Sequence, residues 1–152
     1  MAGRRLLDAL GDLGADAFVA DTAVLIYRAE RRGEVRLLRA CDELFDAVEL
    51  GEIQCVVGAV TVTEFLVRPI RHGPGAVSIA DAFLRQPSLT VAELREAASR
   101  LAAGLLARGP VRRIADAFVA ATALDLGLPL VTADRRLARS GVVESLLVQD
   151  FA

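Results

Sequence analysis

Four carboxylates carry the chemistry this sequence offers: Asp21, Glu64, Asp116 and Asp134. Two of them frame the stretch RRIADAFVAATALDLGLPLVTADRR, with Asp116 near its start and Asp134 near its end. Between them Ile114, Ala117, Phe118, Ala120, Ala121, Ala123 and Leu124 recur at helical spacing. Gly127 then supplies a stop, Pro129 follows, and Leu130-Val131 begins a short apolar strand. The unit reads helix, glycine, buried strand, acid. An acid just past the carboxyl end of a buried parallel strand stands where open α/β sheets place their ligands. Asp21 follows the apolar run Ala17–Ala20 in the same way, and Glu64 follows the run Ile53–Val60. Four like charges gathered at one sheet edge repel and raise one another's pKa unless a cation neutralises them. Oxygen-only ligands select Mg²⁺ or Mn²⁺ over zinc, which prefers the His and Cys that this set lacks.

To bring these acids together the chain must alternate strand and helix, and its patterning does so. Leu6, Leu7, Leu10 and Leu13 form a short amphipathic helix over about residues 4–13, ahead of the core. The first strand, 17–20, leads at Asp21-Thr22 into a helix expected to end near Gly33. Residues 34–50 carry a strong helical stripe closed by Gly51. A doubly buried strand is expected over 53–60. Thr61 to Glu64 has the form of a helix-start signal, and Pro69 should limit the helix that follows. Arg71-His72-Gly73-Pro74-Gly75 reads as a turn before a helix over about 77–85. Leu89-Thr90-Val91 reads as a brief strand, with Thr90 and Glu93 as a capping box for a helix to about Ala107, and Leu146-Leu147-Val148 makes the last strand. Every connection is long enough for a parallel crossover. The fold class is α/β, an α/β/α sandwich around a central, mostly parallel sheet of about five strands.

Length and composition bound the rest. A chain of 152 residues has the size of one domain, so residues 1–152 are read as a single unit with 1–16 as an N-terminal helical extension. Although 54% of its residues are hydrophobic, no apolar run reaches the roughly 20 residues a membrane span needs. Asp8, Asp12 and Asp16 interrupt the start where a secretory signal would be continuous, so a soluble, cytoplasmic protein is expected. Cys41 and Cys55 sit in apolar surroundings and read as core residues rather than as a disulfide. All 18 basic residues are arginine. The absence of lysine argues against a phosphate-binding P-loop and against the lysine-using folds that also carry an Asp after the first strand.

Each acid has a bland reading. Asp21 suits an N-cap, Glu64 the N3 position of a capping box with Thr61, and Asp134 the cap of the turn Ala133-Asp-Arg-Arg. Asp116, flanked by Ile114, Ala115, Ala117 and Phe118, is harder to dismiss, because an acid in an apolar helix needs a partner. Their coincidence at one edge favours function. Glu30, Asp42, Glu43, Asp46, Glu93 and Glu96 fall on faces that look solvated, and His72 sits in a turn at a helix end, where a solvated imidazole is the simpler reading.

The segments FVADTAVLIYRAE, VVGAVTVTEFLVRP and RRIADAFVAATALDLGLPLVTADRRL resemble the three acidic motifs of the PIN-domain family, the fold of VapC-type toxin ribonucleases. By that resemblance Asp21, Glu64, Asp116 and Asp134 correspond to the metal-binding acids, and Thr132 to the hydroxyl supporting the last of them. Thr22 joins it as a supporting residue. Ala23 departs from the pattern, in a place where many members carry Asn or Ser. The resemblance implies a Mg²⁺-dependent endoribonuclease, the toxin of a toxin–antitoxin pair, held by a small VapB-like antitoxin and forming homodimers. Two alternatives stay open: a PIN-like nuclease of RNA maturation or DNA processing, and a degenerate PIN domain that binds RNA or protein without cutting. Arg28, Arg31, Arg32, Arg68, Arg71, Arg112, Arg113, Arg135 and Arg136 all fall near the proposed site, Arg113 being the best candidate for contacting RNA. For most of them, solvating a helix end is the simpler role.

Overall fold

The computed structural model describes residues 3–152, so the first two residues of the expected extension lie outside the described residues. Five short strands, β1 (Ala17–Ala20), β2 (Gln54–Gly58), β3 (Leu89–Ala92), β4 (Leu130–Thr132) and β5 (Ser145–Leu147), form one sheet in the order β3-β2-β1-β4-β5, with every pairing parallel. Apart from Gln54 at the start of β2 and Thr132 at the end of β4, the central strands are apolar because both sheet faces are covered. Successive side chains point to opposite faces. Phe18, Cys55, Val57 and Val131 therefore enter one hydrophobic core, and Val19, Val56 and Leu130 enter the other. Chain connections leave β1 toward β2 but return to β4 on its other side. The crevice between the carboxyl ends of β1 and β4 is thus the topological switch point of the sheet.

Helices fill both faces. The first core takes α1 (Leu6–Asp12), α2 (Thr22–Glu30), α3 (Val35–Glu49), α4 (Ala59–His72) and α5 (Pro74–Leu84); the second takes α6 (Glu96–Arg108), α7 (Ile114–Leu126) and the short α8 (Arg135–Arg139). The N-terminal helix is built into the first core, since Leu6 and Leu10 are buried within it. Gly127 closes α7 in the left-handed conformation, at φ +65°, as its place after the helical stripe suggests.

Several boundaries differ from the expected ones for physical reasons. Helix α2 ends at Glu30 rather than near Gly33, with Arg31 as its C-cap at φ +56° and the Arg31 guanidinium paired with Asp42 of α3. Strand β2 stops at Gly58, which serves as N-cap of α4, so Val60 is already helical. An apolar run that passes from buried strand to buried helix shows no break in periodicity over so few residues. Pro69 lies inside α4 instead of limiting it. One ladder bond is lost there, and the helix runs on to His72, where the Gly73 N–H closes it by donating to the Pro69 carbonyl at 3.1 Å. The expected turn shrinks to Gly73, because Pro74 opens α5 at a position where a missing N–H costs nothing. Thr90 belongs to β3 and Arg95 is the N-cap of α6, so Thr90 and Glu93 form no capping box. Strand β5 ends at Leu147, and Val148 begins a 3₁₀ helix, Val148–Phe151.

Candidate active site

The switch point is wired by one hydroxyl. Asp21 leaves β1 in extended conformation as the N-cap of α2, and its Oδ1 accepts from the Thr22 N–H at 2.7 Å. Its Oδ2 accepts from the hydroxyl of Thr132, the fully buried last residue of β4, also at 2.7 Å. The same hydroxyl oxygen accepts from the Asp134 backbone N–H at 3.0 Å. Asp134 in turn caps α8, its Oδ1 accepting from the N–H groups of Arg136 and Leu137. The capping roles weighed for Asp21 and Asp134 are therefore real, and each acid keeps its place at the sheet edge because of them.

Glu64 arrives differently from the way its sequence suggests. It lies in the second turn of α4, exposed, and takes no part in a capping box with Thr61, because the helix begins five residues earlier at Ala59. Its carboxylate is aimed at the site by Thr22, whose hydroxyl donates to Oε1 at 2.8 Å. Asp116 stands in the first turn of α7, three residues after Arg113, whose Nε lies 3.9 Å from Oδ2.

Electrostatics tie the four together. Burial raises the Asp21 carboxyl above its ordinary pKa, the bonds from Thr132 and Thr22 oppose this, and Glu64 and Asp134 push it up further. Asp116 is likewise raised, first by burial, against the pull of Arg113 and with the push of Asp134, Asp21 and Glu64. The carboxylates thus share one field, although among the described residues no three acid, His or Cys side chains close into a single group. Asp21 is only 9% exposed and has no basic partner among the described residues. A nearly buried carboxylate within the field of three others carries a charge that a hard divalent cation would offset, and oxygen donors are the kind such an ion prefers. Beside it opens a cleft of about 890 Å³, whose lining includes Asp116 and Asp134 but not Asp21 or Glu64.

The remaining candidates divide. Arg112, Arg113, Arg135 and Arg136 line the cleft. Arg28 is instead taken up by Asp42, Asp46 and Glu49 at 3.1, 2.9 and 2.9 Å, and Arg68 and Arg32 by Glu30. Asp42 and Glu30, expected on solvated faces, are half-buried members of these ion pairs. The His72 ring nitrogen lies 2.9 Å from the Arg68 carbonyl in the last turn of α4. Cys41 and Cys55 are buried and free; burial pushes the Cys41 thiol up to about 12 and the Cys55 thiol up as well. Ala23 is half-buried on α2 and offers the site no polar atom. Gln149 escaped the sequence reading: it lines the cleft and donates to the Ala133 carbonyl at 2.7 Å, from just beyond the residues read as the last strand.

The central place of Thr132 is testable. Replacing it with Val preserves shape but leaves a buried carboxylate oxygen and the Asp134 N–H without partners. Thr132→Val should therefore lower stability by about 1–3 kcal/mol in urea unfolding, while Thr132→Ser retains most of it.

Comparisons with known proteins agree with this architecture. The profile of the PIN domain matches residues 5–142. A comparison with curated proteins finds no match. Solved structures of similar fold include VapBC2 from Rickettsia felis bound to a DNA fragment from its promoter, at 14% identity and a TM-score of 0.66 over 86% of this chain and 98% of that one. A toxin–antitoxin complex from Klebsiella pneumoniae is similar at 15% identity and a TM-score of 0.65, over 86% and 97%. FitAcB from Neisseria gonorrhoeae is similar at 17% identity and a TM-score of 0.63, over 87% and 98%. At these identities the structural likeness is one of fold. The family match rests on the sequence itself and spans nearly all of it: the chain belongs to the PIN-domain family.

Proposed function

We propose that this protein is a Mg²⁺-dependent endoribonuclease, with Mn²⁺ as an alternative ion, and that residues 1–152 work as one nuclease domain. The observation that carries the reading is Asp21: a carboxylate held at the switch point by two hydrogen bonds, nearly buried, without a basic partner among the described residues, and inside the field of Glu64 and Asp134. Asp21 and Asp116 are the direct ligands in this reading, Glu64 and Asp134 complete the set, and Thr22 and Thr132 hold the side chains in place. With its Oδ1 engaged as a cap, Asp134 offers the cleft its other oxygen. A divalent ion, when bound, supplies water activation and charge neutralisation at the scissile phosphate. The protein then needs no nucleophilic side chain, which suits a chain with a single His.

The toxin role follows from the company this fold keeps, since the solved structures of similar fold include toxin–antitoxin complexes. A small VapB-like antitoxin is the partner in this reading, and a homodimer the assembly. An apolar groove between α2, α4 and α5, lined by Phe65, Pro69, Ala76 and Ile79, offers a surface for such contacts. Among the described residues no helix is long and apolar enough to cross a membrane, and the cytoplasm is the proposed location.

Single-stranded RNA should be cut in Mg²⁺, left intact in excess EDTA, and cut again when Mg²⁺ or Mn²⁺ is restored. Full cleavage in EDTA removes the metal from the mechanism, and cleavage of DNA with RNA untouched replaces the substrate.

A further inference from the structure

The peptide that joins Ala133 to Asp134 has both of its hydrogen-bonding groups taken by side chains. Its N–H donates to the Thr132 hydroxyl oxygen at 3.0 Å, and its carbonyl accepts from the Gln149 amide Nε2 at 2.7 Å. A peptide unit is planar, with these two groups on opposite sides, so a plane held at both cannot rotate. The Asp134 Cα belongs to that plane, and Asp134 then spends its Oδ1 on the N–H groups of Arg136 and Leu137. Strand register brings Gln149 within reach. Thr132 is paired with Leu147, so two residues further on the chain stands beside the exit of β4. There it bends into the 3₁₀ helix instead of continuing the ladder: Val148 is fully buried in the first core, Phe151 packs against that core, and the helix rests on α3. Gln149 is held between these two anchors and lines the cleft. It lies beyond the residues that the PIN-domain profile matches, which end at 142.

We propose that Gln149 is a positioning residue of the candidate site, which locks the Ala133–Asp134 peptide against Thr132 and thereby sets the direction in which the Asp134 carboxylate enters the cleft. The inference rests on the nuclease reading above for what Asp134 does, and on the two hydrogen bonds for how it is held. Without the Gln149 amide the plane keeps only its tie to Thr132, and a carboxylate hanging from a plane held on one side samples more directions. Removing a group that orients a metal-binding side chain costs about 10–100-fold in metal affinity or activity. Gln86 offers a matched contrast. Its Nε2 donates to the Phe83 carbonyl at 2.9 Å and its Oε1, like that of Gln149, is buried without a partner among the described residues, yet it stands just after α5, outside the cleft.

Two measurements on the whole chain test it, with Gln149→Met, which keeps the length of the side chain and loses the donor, and Gln86→Met as the control. In EDTA, backbone amide exchange followed by NMR should be at least about tenfold faster at Asp134, Arg136 and Leu137 in Gln149→Met than in the parent, and unchanged there in Gln86→Met. Calorimetric titration with Mg²⁺, without RNA, should show half-saturation moved up by about tenfold or more in Gln149→Met and not in Gln86→Met. Should Met at position 149 unfold the last turn, Gln149→Asn, one methylene too short to reach the carbonyl, gives the same two readings with a polar side chain. Exchange at the parent's rates overturns the clamp. Faster exchange with the parent's Mg²⁺ affinity overturns the positioning role and leaves only a structural tie. A parent protein that takes up no Mg²⁺ refutes the nuclease reading instead, and the exchange rates then decide alone whether Gln149 holds the Asp134 peptide.

Discussion

Asp21→Asn and Asp116→Asn will lower RNA cleavage by roughly 10²–10⁴-fold, as removal of a positioned catalytic group does, while leaving the metal-free protein as stable as the parent or more so. The sign follows from burial. Both carboxyls are raised above their ordinary pKa in the folded protein, so the folded state holds each proton more tightly than the unfolded chain does. Their contribution to stability is then fully favourable only in acid, and it falls as pH rises from the ordinary Asp pKa through the raised one. Above the raised pKa the unfavourable charge is present, and Asn removes it. At position 21 Asn still accepts from the Thr22 N–H, although it leaves the Thr132 hydroxyl hydrogen without its carboxylate acceptor, which limits the gain. Asp21→Ala keeps neither bond and should cost about 1–3 kcal/mol. Melting temperatures with and without Mg²⁺, measured beside cleavage, decide the matter. A variant that Mg²⁺ stabilises as much as it stabilises the parent has not lost a ligand, and the assignment would fail at that residue.

Arg28→Ala should do the reverse, damaging the fold and sparing the chemistry. Its guanidinium, 17% exposed, bridges α2 to three acids of α3. Removing it leaves Asp46 and Glu49 without a cation and Asp42 with Arg31 alone. Asp46 and Glu49 are largely exposed and solvent screens them, so the cost falls between that of a surface pair and a buried one, on the order of 2 kcal/mol. For a chain of this length that corresponds to a melting temperature lower by roughly 4–8 °C. Cleavage measured well below the transition should match the parent. Were cleavage to collapse in a protein that still melts normally, Arg28 would belong with the substrate and not with α3.

These two cases mark what local pattern carries and what it does not. Asp21, Asp116 and Asp134 are legible because each sits where a short apolar strand or helix begins or ends, and the alternation of strand and helix sends those ends to one edge of the sheet. Glu64 is legible as an acid near that edge but not in its true setting. Ile53–Val60 is apolar on both sides of Gly58, so the strand-to-helix boundary leaves no mark, and the contact that aims Glu64 comes from Thr22, 42 residues away. The arginines are the least legible. Arg28 and Arg113 look alike along the chain, and only the packing of α2 on α3 shows that the first is occupied. Gln149 could not be found at all, because its partner is a backbone carbonyl and any long polar side chain fits the same pattern.

The bond between Thr132 and Asp21 spans 111 residues of chain. Ribosomes deliver β1 early and β4 late, so a nascent chain holds Asp21 and Glu64 long before the strand that organises them has been made. Asp116, Thr132 and Asp134 emerge only with the last part of the sequence, and α8 and β5 must dock before the cleft has its second wall. This wiring cannot close on a half-made chain: the switch point assembles only once residues around 134 have folded back onto the first strand.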